Sequence, residues 1–416
     1  MQVQPAELKS IFNQHPHFSV VSQVYHKLRA AGYEVFLAGG CVRDALLNVL
    51  PKDFDLATSA TPAEVIPLFA KTIDIGKAFG VVMVIEQGVQ VEVTTFRQDG
   101  LYVDGRRPST ITFSSAQEDA KRRDFTVNAL FYDLESEKWI DYVDGLRDLK
   151  AGVLRAVGDA NLRFQEDSLR MLRAVRFVSQ LGFSIEPVTR QAICHDAEKV
   201  VLVSQERIHA EMEKLLISRH RKKALQELIQ TQLAAKIFPA PHWSIENVEL
   251  WFDGVNEEVS AVKGWILFWN LYLQGIANLD ERSFFSVLDQ FRFSSAHKAT
   301  VKQALRFRFK PENFSEKSLG ELVDQGFDPT QAFAMNLYAE KNIISQDKWS
   351  QVRQLLLRWA HQKPVPLVRA QDLSGVLSPG PELGVALRIC YWAQLEGRLQ
   401  NLTDAVNYLK QQKVLK

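Results

Sequence analysis

The sequence is poor in cysteine. Its 416 residues contain three, Cys41, Cys194 and Cys390, far apart and without Cys-x-x-Cys spacing. That argues against a disulfide framework or a cysteine zinc site and suits a reducing cytoplasm. Neither sign of charge is in excess: 50 Lys and Arg against 49 Asp and Glu leave a formal net charge of +1. Overall charge therefore neither requires nor forbids nucleic acid, and any RNA surface must be a local patch. No uninterrupted apolar run approaches the ~20 residues of a membrane-spanning helix. Met1 to Ser10 is polar and lacks a signal-peptide core. These absences predict a soluble, cytoplasmic protein with no membrane partner. There is also no low-complexity tract and no fixed-period repeat, so neither a solenoid nor a biased linker is indicated.

What is present is an ordinary globular composition, 46% hydrophobic, in a chain long enough for two to four domains. Up to about residue 150, helix and strand signals alternate. Val20 to Leu28 reads as an amphipathic helix and Tyr33 to Leu37 as a strand running into Gly39-Gly40. Val42 to Leu50 reads as a helix, and Phe54 to Ala57 as a strand. Pro62 to Phe69 reads as a helix opened by Thr61. Val81 to Glu86 and Gln90 to Phe96 read as a hairpin around Gln87-Gly88. Beyond Gly152 the pattern becomes helical. The predicted class is α+β: a small mixed-sheet head over residues 1–150, then an elongated all-α neck (151–218), body (219–315) and tail (316–416).

Two short segments carry chemistry. Gly39-Gly40-Cys41-Val42-Arg43-Asp44 is a glycine turn at the mouth of a helix. Glycines let backbone N–H groups approach a phosphate, the helix start favours anions, and Arg43 adds charge-assisted hydrogen bonds. Then comes Asp53-Phe54-Asp55. Residues i and i+2 of a strand share a face, so the two carboxylates would project together with Phe54 turned inward. Paired carboxylates suit Mg²⁺, which also takes substrate phosphates. Glu92, in Val91-Glu92-Val93-Thr94-Thr95, is a third candidate. Asp-x-Asp alone is common on surface loops, and Gly-Gly alone is usually a tight turn. Together they describe nucleotidyl transfer, in which a ribose 3′-hydroxyl attacks a triphosphate and pyrophosphate leaves.

The second segment is Glu166 to Phe177, in which Asp167, Arg170, Arg173 and Arg176 recur every third residue among Leu169, Met171, Leu172, Val175 and Phe177. An i,i+3 ion-pair helix is the plain reading. The apolar surroundings favour a functional one, because semi-buried arginines need partners. A carboxylate accepts from the exocyclic amine of cytosine or adenine, and a guanidinium donates to their ring acceptors. Asp167 and Arg170 would thus select C and A without a nucleic-acid template.

With these residues assembled, the chain closely resembles class II tRNA nucleotidyltransferases, the CCA-adding enzymes of the DNA polymerase β superfamily. The resemblance is strong over about residues 30 to 216. The Gly-Gly-x-x-Arg-Asp segment and Asp53-x-Asp55 match that family's catalytic motif. Arg122-Arg123-Asp124-Phe125-Thr126-x-Asn128-Ala129 matches the motif that contacts the nucleotide sugar. Asp167-x-x-Arg170 matches the templating motif, and Arg207-x-x-x-Glu211 the motif that buttresses it. The resemblance implies Mg²⁺ on Asp53 and Asp55 with Glu92 assisting. It implies nucleotide contacts from Gly39, Gly40, Arg43, Arg123, Asp124, Asn128, Asp167, Arg170, Arg173 and Arg176. It also implies CTP and ATP as substrates and tRNA as partner.

The family includes full CCA addition, CC addition, A addition and poly(A) synthesis. Asp99 to Pro108 resembles the flexible loop that CC-adding members lack, and Asp74 to Gly80 lacks the basic stretch of the poly(A) polymerases. A-only addition shares both the loop and the template motif, and so stays open, as do a poly(A) polymerase and a non-catalytic RNA-binding scaffold. The basic clusters Arg219 to Lys223 and Lys298 to Lys310 read as solvated faces with phosphate contact as the alternative. His195-Asp196 alone does not make a metal site. Gly380 to Gly384, Glu396-Gly397 and Asn401 read as helix capping.

Overall fold

Val35-Phe36-Leu37-Ala38 is apolar on both sides, which suits a strand covered on both faces, and all four residues are buried in β1 (Val35–Ala38). In the computed structural model this strand lies inside a seven-stranded sheet. The structure describes residues 5–76, 79–100, 102, 108–238, 242–252, scattered positions between 264 and 359, 364–375, 377–412 and 414. The chain forms two compact units, residues 1–245 and 246–416.

In the first unit, β1 is followed by β2 (Asp55–Thr58), β3 (Thr72–Gly76), β4 (Val81–Glu86), β5 (Val89–Thr95), β6 (Arg97–Asp99), β7 (Ile111–Phe113), β8 (Leu130–Asp133) and β9 (Lys138–Asp141). The sheet order is β3-β4-β5-β2-β1-β8-β9, with β6 and β7 forming a separate ribbon. Only β2 and β5 pair in parallel within the large sheet, which makes it mixed, as expected. The β4–β5 hairpin turns on Gln87 and Gly88, whose φ values are +49° and +79°. Two successive positive φ angles give the turn twist that matches the flanking strands.

Alternation along β2 sorts its neighbours. Phe54 and Leu56 are buried, and Phe54 meets Phe12 and Phe18 edge-on or tilted. Asp55 and Ala57 project the other way, where Ala57 joins Phe36, Phe96 and Phe131 in an apolar cluster. Helix α1 (Pro5–Asn13) supplies Phe12. Helix α2 (Phe18–Ala30) buries Phe18, Val21, Tyr25 and Leu28 along one stripe, plus Val20 and Val24. Its length exceeds the sequence expectation by two residues at each end.

Three local expectations shift. Helix α3 is Gly40–Leu46: it starts at the glycine pair and stops short of Leu50 because Asn48 takes a left-handed φ of +59°. The Pro62 to Phe69 helix is α4 (Pro62–Val65) followed by a 3₁₀ turn over Ile66–Leu68, since Pro67 has no N–H for the α ladder. The Glu166 to Phe177 helix is two helices, separated at Asp167 and Ser168.

Helices α5 (Ala116–Lys121) and α6 (Gly145–Ala151) complete the sheet domain. The helical part comprises α7 (Ala160–Glu166), α8 (Leu169–Leu181), α9 (Pro187–Asp196), α10 (Gln205–Ile217), α11 (Arg221–Gln230) and α12 (Leu233–Ile237). Helix α8 is central, packing on α10 and α11. In the Arg219 to Lys223 cluster, Arg219 and His220 are exposed and Lys222 and Lys223 half-buried. Arg221 is fully buried, its Nε donating to the Leu216 carbonyl at 2.8 Å. Lys223 Nζ donates to the Gly182 carbonyl at 2.8 Å and to Ser184 Oγ at 3.0 Å. These two cations fasten α11 to its neighbours and are not free for phosphate. Asp196 pairs with Lys199 and His195, at 2.8 and 3.0 Å.

In the second unit, Pro381–Leu395 and Leu402–Gln411 pack through Leu383, Ala386, Cys390, Ala405 and Leu409. Pro381 opens the first of these helices, and Asn401 caps the second by accepting from the Asp404 amide at 2.9 Å. Lys298 to Lys310, Lys77, and Leu101 and Val103 to Arg107 of the Asp99 to Pro108 segment lie outside the described residues. No described helix is long and apolar enough to cross a membrane.

One glycine tests the packing beside the sheet. A Cβ on Gly145 would stand 2.3 Å from the Thr126 carbonyl oxygen and 3.0 Å from Leu130 Cδ2. Gly145→Ala is expected to destabilise the unit by about 1–3 kcal/mol, as overpacking does. A denaturant midpoint equal to that of the unsubstituted chain would contradict this close approach.

Candidate active site

Parallel pairing of β2 with β5 sets Asp55 opposite Glu92. Paired residues on adjacent strands project from one face, so the two carboxylates stand side by side. Asp53 precedes the strand by two residues and also lines the cavity there. Asp55 is exposed at the cavity mouth, yet protein walls flank it. Burial first, then the Glu92 and Asp53 charges, raise its pKa to about 7, against a smaller opposing effect of Arg123. Burial and Asp53 likewise raise that of Glu92.

Gly39 turns β1 into α3 with φ +73°. A Cβ there would meet Arg123 Nη1 at 3.0 Å, so both the backbone angle and the close guanidinium require glycine. Arg43, on α3, donates to Asn128 Oδ1 at 2.6 Å and to Asp44 Oδ1 at 2.6 and 2.8 Å. Asn128 Nδ2 donates to Asp124 Oδ1 at 3.1 Å, and Arg173 grips Asp124 Oδ2 at 2.5 and 2.9 Å. Burial alone would raise the Asp124 pKa, but the Arg173 charge and these hydrogen bonds hold it below the usual carboxylate range. Arg176 continues the chain to Glu211 at 2.7 Å.

Asp167 sits between α7 and α8 with extended backbone angles. Its Oδ1 accepts from the Leu169 amide at 3.0 Å, a local bond that competes with helix and explains the break. Arg207 grips both its oxygens, at 2.6 and 3.2 Å. Arg170 donates to Glu166 Oε2 at 2.5 Å, and to the carbonyls of Arg163 and Arg122, both at 3.2 Å.

All of the candidate catalytic and nucleotide-binding residues named from the sequence line one cavity of about 660 Å³. Asp53, Asp55 and Glu92 contribute one part of its lining, Gly39, Gly40, Arg43, Arg123, Asp124 and Asn128 another, and Asp167, Arg170, Arg173 and Arg176 the rest. Sequence reasoning missed Arg97, Arg122, Thr94 and Phe177 as lining residues. Arg122 was visible beside Arg123, whereas Arg97 and Thr94 carry no distinguishing signal. Phe177 is ringed by three guanidiniums, Arg176 at 3.6 Å, Arg43 at 5.2 Å and Arg173 at 5.5 Å from its centroid.

The charges do not cancel locally. Eight arginines line the cavity, and each has a carboxylate within ion-pair distance. Among the described residues, none of Asp53, Asp55 and Glu92 forms an ion pair. The surplus is therefore negative, where a triphosphate would add more. An oxygen donor set with uncompensated charge fits a divalent cation. Among the described residues, no three such side chains stand at metal-holding spacing.

This sheet, with its glycine turn and paired carboxylates, defines a nucleotidyltransferase head. Residues 35–155 match the family model described as poly A polymerase head domain, and residues 182–243 that described as "Probable RNA and SrmB- binding site of polymerase A". The chain is 35% identical to the CCA-adding enzyme of Lactiplantibacillus plantarum over 397 residues, 94% of this chain and 95% of that protein. It is 36% identical to that of Lactobacillus delbrueckii subsp. bulgaricus over 399 residues, 94% and 96% of the two chains. The crystal structure of the Bacillus stearothermophilus CCA-adding enzyme in complex with CTP superposes with a TM-score of 0.70 at 29% identity, covering 96% of this chain and 99% of that one. The chain belongs to the CCA-adding enzyme family.

The raised pKa of Asp55 has a consequence for stability. Its folded pKa, about 7, exceeds the ordinary carboxylate value of about 3.9. The folded state therefore holds this proton more tightly, and its contribution is full below about pH 4 and lost as pH rises through 7. In chelator, Asp55→Asn is expected to raise the melting temperature at pH 8, with a gain that shrinks as pH falls toward 4. A gain independent of pH would contradict the assignment.

Proposed function

We propose that this chain adds CMP, CMP and AMP to the 3′ end of tRNA without a nucleic-acid template, drawing them from CTP and ATP. The single observation that carries this reading is the convergence of acidic, phosphate-turn and base-selecting residues on one cavity. Asp53 and Asp55 hold Mg²⁺ and Glu92 assists; bound there, the ion supplies activation of the 3′-hydroxyl and charge neutralisation of the leaving pyrophosphate. The Gly39-Gly40 turn lets the triphosphate approach the backbone, and Arg43 and Arg123 supply positive charge beside it. The new bond joins the tRNA 3′-oxygen to the α-phosphorus, and the α–β phosphoanhydride breaks.

Base choice follows from unused hydrogen-bonding capacity. A carboxylate has about four acceptor sites. Asp167 uses three of them, two for Arg207 and one for the Leu169 amide. One remains, which suits the single outward N–H of an exocyclic amine. Arg170 commits three donations, so about two of its five N–H groups remain for a ring acceptor. Cytosine and adenine present that amine-and-acceptor edge, whereas guanine and uracil present a carbonyl where the amine is needed.

The same site serves the successive additions, with specificity changing as the 3′ end grows. We assign residues 1–150 to catalysis, 151–218 to base selection, and the helical body (219–315) and tail (316–416) to tRNA. The tRNA is held by the shape of its backbone. The three thiols are free, which suits a cytoplasmic location.

The test offers tRNAs ending before CCA, after C and after CC, with each labelled nucleotide singly and combined. Full repair of the shortest tRNA is expected. Incorporation only after CC would replace this reading with A addition, long A tails with polyadenylation, and binding without incorporation with an inactive scaffold. Asp53→Ala is expected to abolish transfer and leave tRNA binding intact; retained turnover removes the metal assignment. Asp167→Ala is expected to relax the choice between C or A and the other bases, read as misincorporation of UMP and GMP.

A further inference from the structure

Helix α5 presents three residues inward: Ala116, Asp119 and Ala120. The alanines join the apolar cluster of Phe36, Phe96 and Phe131. Asp119, between them, keeps only 1% of its side chain exposed. A carboxylate placed against apolar packing is costly unless its charge is fully met. Here both oxygens are taken by arginine forks. Oδ1 accepts from Arg122 Nε and Nη2 at 2.9 and 2.6 Å, and from the Arg97 amide at 3.4 Å. Oδ2 accepts from Arg123 Nε and Nη2 at 3.2 and 3.0 Å.

Both arginines line the cavity, and Asp119 does not. Arg123, held from behind, lays its guanidinium 4.9 Å over the Phe131 ring, donates to the Asn128 carbonyl at 3.2 Å and stands against Gly39. Arg122 lies 3.8 Å from Asp99, and its carbonyl accepts from Arg170 at 3.2 Å. One buried anion thus sets two side chains, one at the Gly39 turn and one beside Asp99. Like-charged guanidiniums on consecutive residues would otherwise separate.

We propose that Asp119 is a positioning residue for nucleotide transfer, holding Arg123 against the Gly39 turn and Arg122 in the cavity wall beside Asp99, so that the cavity is shaped before the nucleotide arrives. This inference rests on the CTP and ATP reading of the cavity.

The decisive substitution is Asp119→Asn. Asparagine has nearly the same shape but only one acceptor oxygen, and its amide points a donor at one of two donor-only guanidiniums. CTP affinity of the full-length chain is measured by titration calorimetry, alongside KM and kcat for CMP addition. Asp119→Asn is expected to weaken CTP binding and raise KM roughly tenfold, the scale of a lost charged hydrogen bond. In an Arg123→Ala background it is expected to add little, because the two act as one unit. Asp119→Glu keeps the charge, shifts the fork and is expected to raise KM less.

A purely structural role would lower the melting temperature and leave KM of the folded fraction unchanged. Unchanged CTP affinity in Asp119→Asn overturns the proposal. So do effects that multiply in the double variant, or an unchanged KM in Asp119→Glu with an unaltered melting curve. An unsubstituted chain that binds CTP without extending tRNA overturns the functional reading and leaves the affinity comparison to judge Asp119. One that binds no CTP overturns both.

Discussion

The catalytic unit depends on the bond between Asp124 and Arg173. Asp124 belongs to the segment after α5, and Arg173 to the middle of α8. The pair is gripped at 2.5 and 2.9 Å in a largely buried setting. Removing either partner would leave an uncompensated charge, which is far more costly than the net worth of the pair. Its other oxygen extends the constraint. Asp124 Oδ1 takes Asn128, and Asn128 takes Arg43. The Gly39-Gly40 turn and helix α8 are therefore not independently adjustable. Moving α8 pulls on Asp124, and through Asn128 on the guanidinium beside the turn. Phe177 adds an apolar ring to the same junction, facing Arg43 on one element and Arg173 and Arg176 on another.

A second regularity is the sorting of charge. Every arginine of the cavity has a carboxylate partner, and the acids left over are those on β2 and β5 and just before them. Arginines already paired are fixed in direction, and fixed donors lose less entropy on meeting a ligand. Unpaired acids are the reverse: burial first, and then the Glu92 and Asp53 charges, disfavour the charged form of Asp55. The two halves of the site are thus prepared in opposite senses, one pre-satisfied and rigid, the other deliberately incomplete.

Legibility in the sequence follows the range of the interaction. The Gln87-Gly88 hairpin, the buried β1 and the glycine turn rest on local rules and were readable. So was the inward turn of Phe54 away from Asp55, although Asp53 lies before the strand that was expected to carry both carboxylates. The parallel pairing of Asp55 with Glu92 is not local: nothing in either segment states which strand lies next to it. Asp119 illustrates the same gap. In sequence it is one acid in Ser-Ser-Ala-Gln-Glu-Asp-Ala-Lys, like any solvated helix start. Its burial and its two arginines appear only when α5 packs against the sheet. Within the Arg219 to Lys223 cluster Arg221 departs from the solvated reading for the converse reason: it is fully enclosed, while Arg219 and His220 are exposed.

The break before α8 bears on how a protein can act as template. Asp167 on a continuous helix would take its orientation from a rotamer that helical neighbours only weakly restrict. At the junction it is fixed three ways: by its own bond to the Leu169 amide and by two bonds from Arg207. Arg170, whose amide bonds back to the Asp167 carbonyl at 2.9 Å, starts the helix from that fixed point. Acceptor and donor are thus referenced to each other through one short piece of backbone. On the proposed reading a base is recognised by the relative placement of its amine and ring acceptor, so this shared reference, more than the strength of either contact, would let the two side chains accept both C and A. A pyrimidine and a purine differ in size but present the same edge. On that proposal, discrimination against G and U would come from burying a carbonyl against a carboxylate that has one lone pair left and no donor to offer.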